Sequence, residues 1–129
     1  MKEQKRMKLE QKLKKNGFLK NEDRLIDAVQ ANYKEKIIGK MGSWKSGWLY
    51  FTEESIKCPV GLLGAGGTID ISYSNIKKIS KCNQGIFPIG IAITYHNAEK
   101  NKTETDYFSV WKRGVWMELI SKKSGVSVG

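Results

Sequence analysis

Residues 32–48, NYKEKIIGKMGSWKSGW, hold side chains suited to one kind of chemistry. Lys34, Lys36, Lys40 and Lys45 are spaced through the stretch, with Met41 and Trp44 between them. Ammonium groups attract the phosphates of lipid headgroups, and an indole ring settles at headgroup depth in a bilayer. Four lysines against one acid, Glu35, leave the 34–45 segment net positive. Two readings stand. The segment is a loop that binds an anionic membrane weakly, or a solvated loop with Trp44 folded back on the body. These six residues are the candidate ligand-binding set. Lys77, Lys78 and Lys81 form a second basic cluster, read as a solvated strand face.

Other chemistries are poorly served. Residues 61–68, GLLGAGGT, fit the spacing of a phosphate-binding loop except that Gly67 stands where a lysine should be. Such a loop should also open a helix, whose N-terminus holds the phosphate. Here it leads into Thr68-Ile69-Asp70-Ile71, a strand pattern. A nucleotide is not expected, and the glycines read as a hairpin loop. His96 is the only histidine, so neither a catalytic triad nor a histidine metal site has its partners. It is expected on the surface beside a hairpin turn. Thirteen carboxylates are present, none placed as a catalytic pair. Cys58 and Cys82 are too few and too far apart for a disulfide framework or a metal motif, and read as reduced thiols in strands. The sequence therefore points to no catalytic residues, no metal, no cofactor and no enzyme.

The elements that must position these residues follow from periodicity. Residues 1–15 have the Lys, Glu, Gln, Leu and Met composition of a helix, with a thin apolar stripe of Met7, Leu9 and Leu13 and a stop at Asn16-Gly17. So short a helix is marginal alone. It is expected to be a frayed, solvated arm, with docking or a dimer seam as alternatives. A chain beginning near Gly17 is expected to fold. From Leu25 the period changes to two. Leu25, Asp27, Val29, Ala31 and Tyr33 suggest a first strand, residues 48–51 and 55–60 two more, and Ile69, Ile71 and Tyr73 another. Residues 76–82 continue after a turn at Ser74-Asn75. Residues 83–85 make a further turn. Ile89, Ile91, Ile93 and Tyr95 give the clearest strand, and residues 105–110 the last. Residues 111–124 then place Trp116, Leu119 and Ile120 at helical spacing, with Lys122 and Lys123 in the final turn. Trp116, and with it Trp111, is expected in the core. One helix after six or seven short strands is expected to close the open end of an antiparallel barrel or sandwich.

The 129 residues suit one domain able to bury a core without staples. The net charge is +10, and residues 1–15 alone carry seven bases and two acids. That favours anionic partners without choosing among them. The most apolar stretch, residues 86–93, is broken by Pro88 and Gly90 and falls far short of the ~20 residues of a membrane helix. A cytoplasmic protein is expected, with any membrane contact peripheral at the inner face.

Several strings in order resemble the GRAM domain, a branch of the pleckstrin-homology-like superfold. They are GWLYFTEESIKC (47–58), IDISYSNIKKISK (69–81), GIFPIGIAI (85–93), YFSVWKRGVWMELI (107–120) and, more faintly, NEDRLIDAVQANY (21–33). Ser72 stands where that family often has proline, and Glu53-Glu54-Ser55 replaces its usual basic turn. The resemblance implies a mostly β fold, an antiparallel barrel or orthogonal sandwich capped by a C-terminal helix. It divides the chain into a basic helical arm (1–20), the domain (21–124) and a tail (125–129). It also implies lipid or protein binding, with basic residues between the first two strands holding lipid phosphates. Weak peripheral binding to anionic phospholipid is the first expectation. Binding to an acidic protein surface, pairing of two chains included, is the second, and nucleic acid the third.

Overall fold

A computed structural model describes residues 1–37, 40–61 and 66–129, without the side chains of Ile37, Lys40 and Met41. Helix α1 (Glu3–Lys15) is followed by β1 (Leu25–Ile37), β2 (Lys40–Thr52), β3 (Ser55–Pro59) and β4 (Thr68–Ser72). A 3-10 turn, Tyr73–Asn75, leads into β5 (Ile76–Gln84), β6 (Phe87–Asn97), β7 (Lys102–Ser109) and helix α2 (Arg113–Ser124). The strands form one antiparallel sheet in the order β4-β3-β2-β1-β7-β6-β5. It is open between β4 and β5, and the Tyr73–Asn75 turn makes that corner. Tyr73, read as a strand residue, sits in the turn instead, buried, with its hydroxyl donating to the Thr52 carbonyl at 2.9 Å.

The alternation read from the sequence builds the core. Leu49 and Phe51 of β2, Ile56 and Cys58 of β3, Ile71 of β4, Ile91 and Ile93 of β6 and Phe108 of β7 all point inward. Helix α2 covers them with Met117 and Ile120, both fully buried. Trp116 is half-buried and stacks on Phe51, centroids 5.2 Å apart at 10°. Such a pair adds about 0.5–1.5 kcal/mol beyond its buried area. Trp111 does not join the core: Val110 takes the inward place, and Trp111 is 72% exposed. Lys112 has a left-handed backbone, φ 58°, and so turns the chain sharply between β7 and α2.

Gly90 marks a required close approach. A Cβ there would lie 2.5 Å from Cys82 Sγ and 2.8 Å from its carbonyl oxygen. At this crossing Arg113 Nη1 donates to the carbonyls of Cys82 (3.0 Å) and Gly90 (3.2 Å), tying the start of α2 to the β5–β6 hairpin. Cys58 is buried and Cys82 half-buried, both as free thiols. Burial pushes the Cys58 thiol up to about 12.

Helix α1 is not a frayed arm. Leu13, Leu19 and Leu25 form a second buried cluster, with Leu9, Phe18 and Tyr50 packed against it. Polar groups complete the docking. Glu10 accepts the Leu25 amide at 2.8 Å and Arg24 Nε at 3.2 Å, while Arg6 Nη1 donates to the Leu25 carbonyl at 2.7 Å. Burial works against the Glu10 carboxylate, but the Leu25 amide, Arg24 and Lys14 outweigh it and hold its pKa below the usual range. The apolar stripe looked thin because half the contact is made by charged side chains.

Leu13→Ala should therefore destabilise the protein by about 2–5 kcal/mol, the range for emptying a buried leucine site. A chain beginning at Gly17 should melt at a lower temperature than the full chain. Equal urea midpoints for parent and Leu13→Ala would show that α1 does not dock through this cluster.

Candidate functional site

The segment read as a loop is a β-ribbon. Strands β1 and β2 stay paired up to Ile37 opposite Lys40, so Lys34 and Lys36 are β1 residues and Lys40, Met41, Trp44 and Lys45 are β2 residues. Lys36 pairs in register with Met41, but the side chains of Lys40 and Met41 lie outside the described residues. Among the described residues β1 meets β7 only at Asn32 and Tyr33, and β2 meets β3 only at Tyr50 and Phe51. Beyond those points the ribbon has no backbone pairing with β7 or β3, and Lys36 reaches β7 only through its side chain. Tyr33 braces its base. The Tyr33 ring lies 3.1 Å from where a Cβ on Gly47 would be, and its hydroxyl accepts the Gly61 amide at 2.8 Å.

The candidate residues part company on this ribbon. Lys34 is opposite Trp44 in register, and its ammonium sits 5.6 Å from the centre of the indole ring. This is cation–π geometry. Both side chains are half-buried, so the pair is built yet reachable. Lys45 is exposed and opposite Tyr33. With Lys12 of α1 it rims a groove of about 940 Å³ whose floor includes Leu9, Phe18 and Tyr50.

Lys36 is spent elsewhere. Its ammonium lies 3.0 Å from Asp106 and 3.8 Å from Glu104. Asp106 is buried and also accepts the Tyr95 hydroxyl at 2.5 Å. Burial and the bond to Asp106 push the Tyr95 phenol far upward, so it stays a donor. Burial also disfavours the Glu104 carboxylate, but the Asn97 amide and the charges of Lys36 and Lys100 outweigh this and lower its pKa. The hollow at this end of the sheet is lined by five carboxylates, Glu35, Asp70, Glu99, Glu104 and Asp106, and by three lysines, Lys34, Lys36 and Lys100. Acids outnumber bases there, and Lys36 is already paired with two of them. The ribbon's attraction for anions therefore rests on Lys34 and Lys45, while the Trp44 face holds the Lys34 ammonium.

The remaining sequence readings resolve simply. His96 is half-buried near the β6–β7 turn, paired in register with Thr103. Lys77, Lys78 and Lys81 are exposed on β5. Thr68 opens a strand, as read, while residues 62–65 of the glycine loop lie outside the described residues. Among the described residues no helix is long and apolar enough to cross a membrane, and no cluster of three metal-ligating side chains occurs.

No family model matches the chain, and no curated protein matches it. Solved structures do. The chain is similar to the C-terminal domain of an unknown protein from Leishmania infantum, with TM-score 0.65 and 19% identity over 90% of this chain and 97% of that one. It is similar to the Vps36 N-terminal PH domain, with TM-score 0.56 and 11% identity over 83% of each chain. A third similar structure is the Slm1 PH domain in complex with inositol-4-phosphate, with TM-score 0.52 and 9% identity over 77% of this chain and 92% of that one. At such identities the likeness is one of fold, and the fold is pleckstrin-homology-like.

The acid cluster makes a checkable demand. Tyr95→Phe should cost about 1.5–3 kcal/mol, because it removes a donor from a buried carboxylate. Glu104 has a folded pKa below its unfolded one, so its stabilisation is present above the ordinary carboxylate range of about 4 and is lost as pH falls through the lower folded value. The stability gap between parent and Glu104→Gln should hold steady above about pH 5 and close in more acid solution. Denaturant titrations at several pH values measure both effects. A gap that widens on acidification would overturn the assignment.

Proposed function

We propose that this chain is a binding module of the GRAM type that attaches weakly and reversibly to anionic membrane surfaces. The observation that carries the reading is the Lys34–Trp44 pair on a ribbon that runs beyond the backbone pairing of the sheet. A cation held against an indole, both partly open to solvent, is the composition that headgroups and their interfacial layer select. The ordered GRAM-like strings support the branch of the superfold. The Slm1 neighbour, solved with inositol-4-phosphate, supports phosphate-bearing ligands as the chemical class. Cytoplasmic placement at the inner leaflet, where anionic lipid concentrates, follows from the same reading.

The magnitude is small. Lys36 is neutralised by Asp106 and Glu104, so Lys34 and Lys45 are the clear contributors on the ribbon. At ~1 kcal/mol per basic residue near an anionic surface, two lysines contribute roughly 2 kcal/mol. A millimolar Kd corresponds to about 4 kcal/mol, so the ribbon alone is not enough. Basic residues of α1 such as Lys5, Lys8 and Lys12 are exposed and add charge to the same molecule. Binding of this kind weakens as salt shortens the Debye length.

Flotation with phosphatidylglycerol vesicles tests the reading. The parent should float at low salt and be released by about 0.5 M salt, where the Debye length has fallen to a few ångströms. Trp44→Ala and the double charge reversal Lys34→Glu/Lys45→Glu should each reduce the bound fraction several-fold while the protein still melts cooperatively. If the parent stays unbound even at low salt, the membrane reading fails and an acidic protein surface becomes the better assignment.

A further inference from the structure

The strongest unexplained feature lies away from the ribbon. Among the described residues eight large apolar side chains are exposed, and four of them come from two short segments. Ile86 is 89% exposed and Phe87 54%, at the β5–β6 turn, while Trp111 is 72% and Val115 58%, where β7 passes into α2. The fold brings the two segments to one end. The Val110 amide donates to the Ile89 carbonyl at 3.0 Å, and the Arg113 guanidinium holds the carbonyls of Cys82 and Gly90. Ile89 and Trp111 line one small hollow.

The turn itself is unusual in composition. Gln84 pairs with Phe87, so Gly85 and Ile86 form the two-residue tip, with Gly85 at φ 59° supplying the backbone that a tight turn needs. Turn tips normally take polar residues. Here all four residues 85–88, Gly-Ile-Phe-Pro, are exposed, and none belongs to the buried core. An apolar cluster held out by a rigid hairpin, rimmed by polar residues, marks a surface that meets another phase or partner.

Charge chooses between them. Residues 82–98 contain no acid, Lys81 and Lys112 flank the two segments and are exposed, and Lys77 and Lys78 lie at the other end of β5. The nearest charges along the chain to Ile86, Phe87 and Trp111 are therefore basic. The tip also sits on the same side as the Lys34–Trp44 pair. The Asn32 side chain, two residues from Lys34, donates to Gln84 Oε1 at 3.1 Å. Burial pushes the Cys82 thiol upward, and the charges of Arg113 and Lys34 both pull against it, as expected if Lys34 lies close to β5. An apolar tip, an exposed tryptophan from the adjoining segment and flanking lysines complement an anionic bilayer: the tip would enter the acyl boundary, the indole sit at headgroup depth and the lysines meet phosphates.

We propose that the β5–β6 tip, Ile86 and Phe87, together with Trp111, inserts into anionic lipid bilayers. This inference rests on the membrane reading above and names the element that supplies its missing apolar contribution.

The test uses the full chain and vesicles of phosphatidylglycerol, with pure phosphatidylcholine vesicles as the uncharged control. The variants are Ile86→Ser/Phe87→Ser and, separately, Trp111→Ser, all at exposed positions. Each should melt like the parent and lose at least tenfold in partitioning to phosphatidylglycerol at low salt. Brominated phosphatidylglycerol should quench the parent's tryptophan fluorescence, and Trp111→Phe should remove a large part of that quenching. If the parent floats and both tip variants float equally well, the tip stays out of the bilayer; the inference falls while the ribbon reading survives. If the parent does not float at any salt, the membrane reading itself fails and the tip with it. A parent that sediments as a dimer, made monomeric by Ile86→Ser/Phe87→Ser with flotation unchanged, would reassign the patch to a second copy of the chain and overturn the proposal.

Discussion

Among the described residues the two halves of the sheet are joined by two register pairs, Asn32 with Ser109 and Tyr33 with Phe108. A backbone hydrogen bond contributes about 1 kcal/mol net, so this joint alone could not fix four strands against three. Side chains clamp it on both sides. Gln84 of β5 accepts from the Asn32 amide of β1 and pairs with the Ser109 hydroxyl of β7. Further along, Lys36 of β1 meets Asp106 of β7, which also holds Tyr95 of β6. Tyr33 and Phe108 lie buried at the joint. A narrow seam with polar clasps lets the sheet turn sharply around its core while keeping one geometry.

That clasp decides which charges are available for binding. Asp106 is buried, and a buried carboxylate needs a partner. Lys36 supplies the charge and Tyr95 the hydroxyl, so a lysine that belongs to the basic segment by sequence belongs to the seam by structure. The acids that line the same end outnumber its bases. Lys34, two positions earlier, faces Trp44 instead. Regular alternation would give both lysines one face, but the β1–β2 register shifts between Lys34 and Lys36, and their partners differ across that irregularity.

Much of this fold was legible because its signals are local. Ile91, Ile93 and Tyr95 alternate cleanly and are buried as read, and Ile120 is buried on α2 as read, though Met117 rather than Trp116 is its fully buried companion. What stayed hidden depends on distant partners. The docking of α1 uses Glu10 and Arg6 on Leu25, and charged residues in a lysine-rich helix look solvated until their partner is placed. The ribbon was hidden because residues 34–45 are basic and read as a loop, whereas the register runs to Ile37 and Lys40 and Gly47 makes room for Tyr33. Residues 86–93 looked like one apolar strand interrupted by proline. The break has a structural basis: Ile91 and Ile93 turn inward, Ile89 is half-buried, and Ile86 and Phe87 are left outside. An isoleucine between a turn glycine and a proline was the available signal.

The ribbon sets how a ligand would be felt. From Tyr33 to Ile37 it extends about 14 Å beyond the joint, at ~3.4 Å per residue. A two-stranded ribbon is marginal alone, so each cross-strand contact matters to its order. The Lys34–Trp44 contact is one of these. A phosphate that takes up the Lys34 ammonium competes with the indole for it, since both draw on the same positive charge. Under the proposed membrane attachment, occupying Lys34 would free Trp44 from its cation where an apolar boundary could receive the ring. Charge recognition and aromatic insertion would then be coupled through a single cross-strand pair. Neither is strong alone, and attachment built from such parts stays reversible.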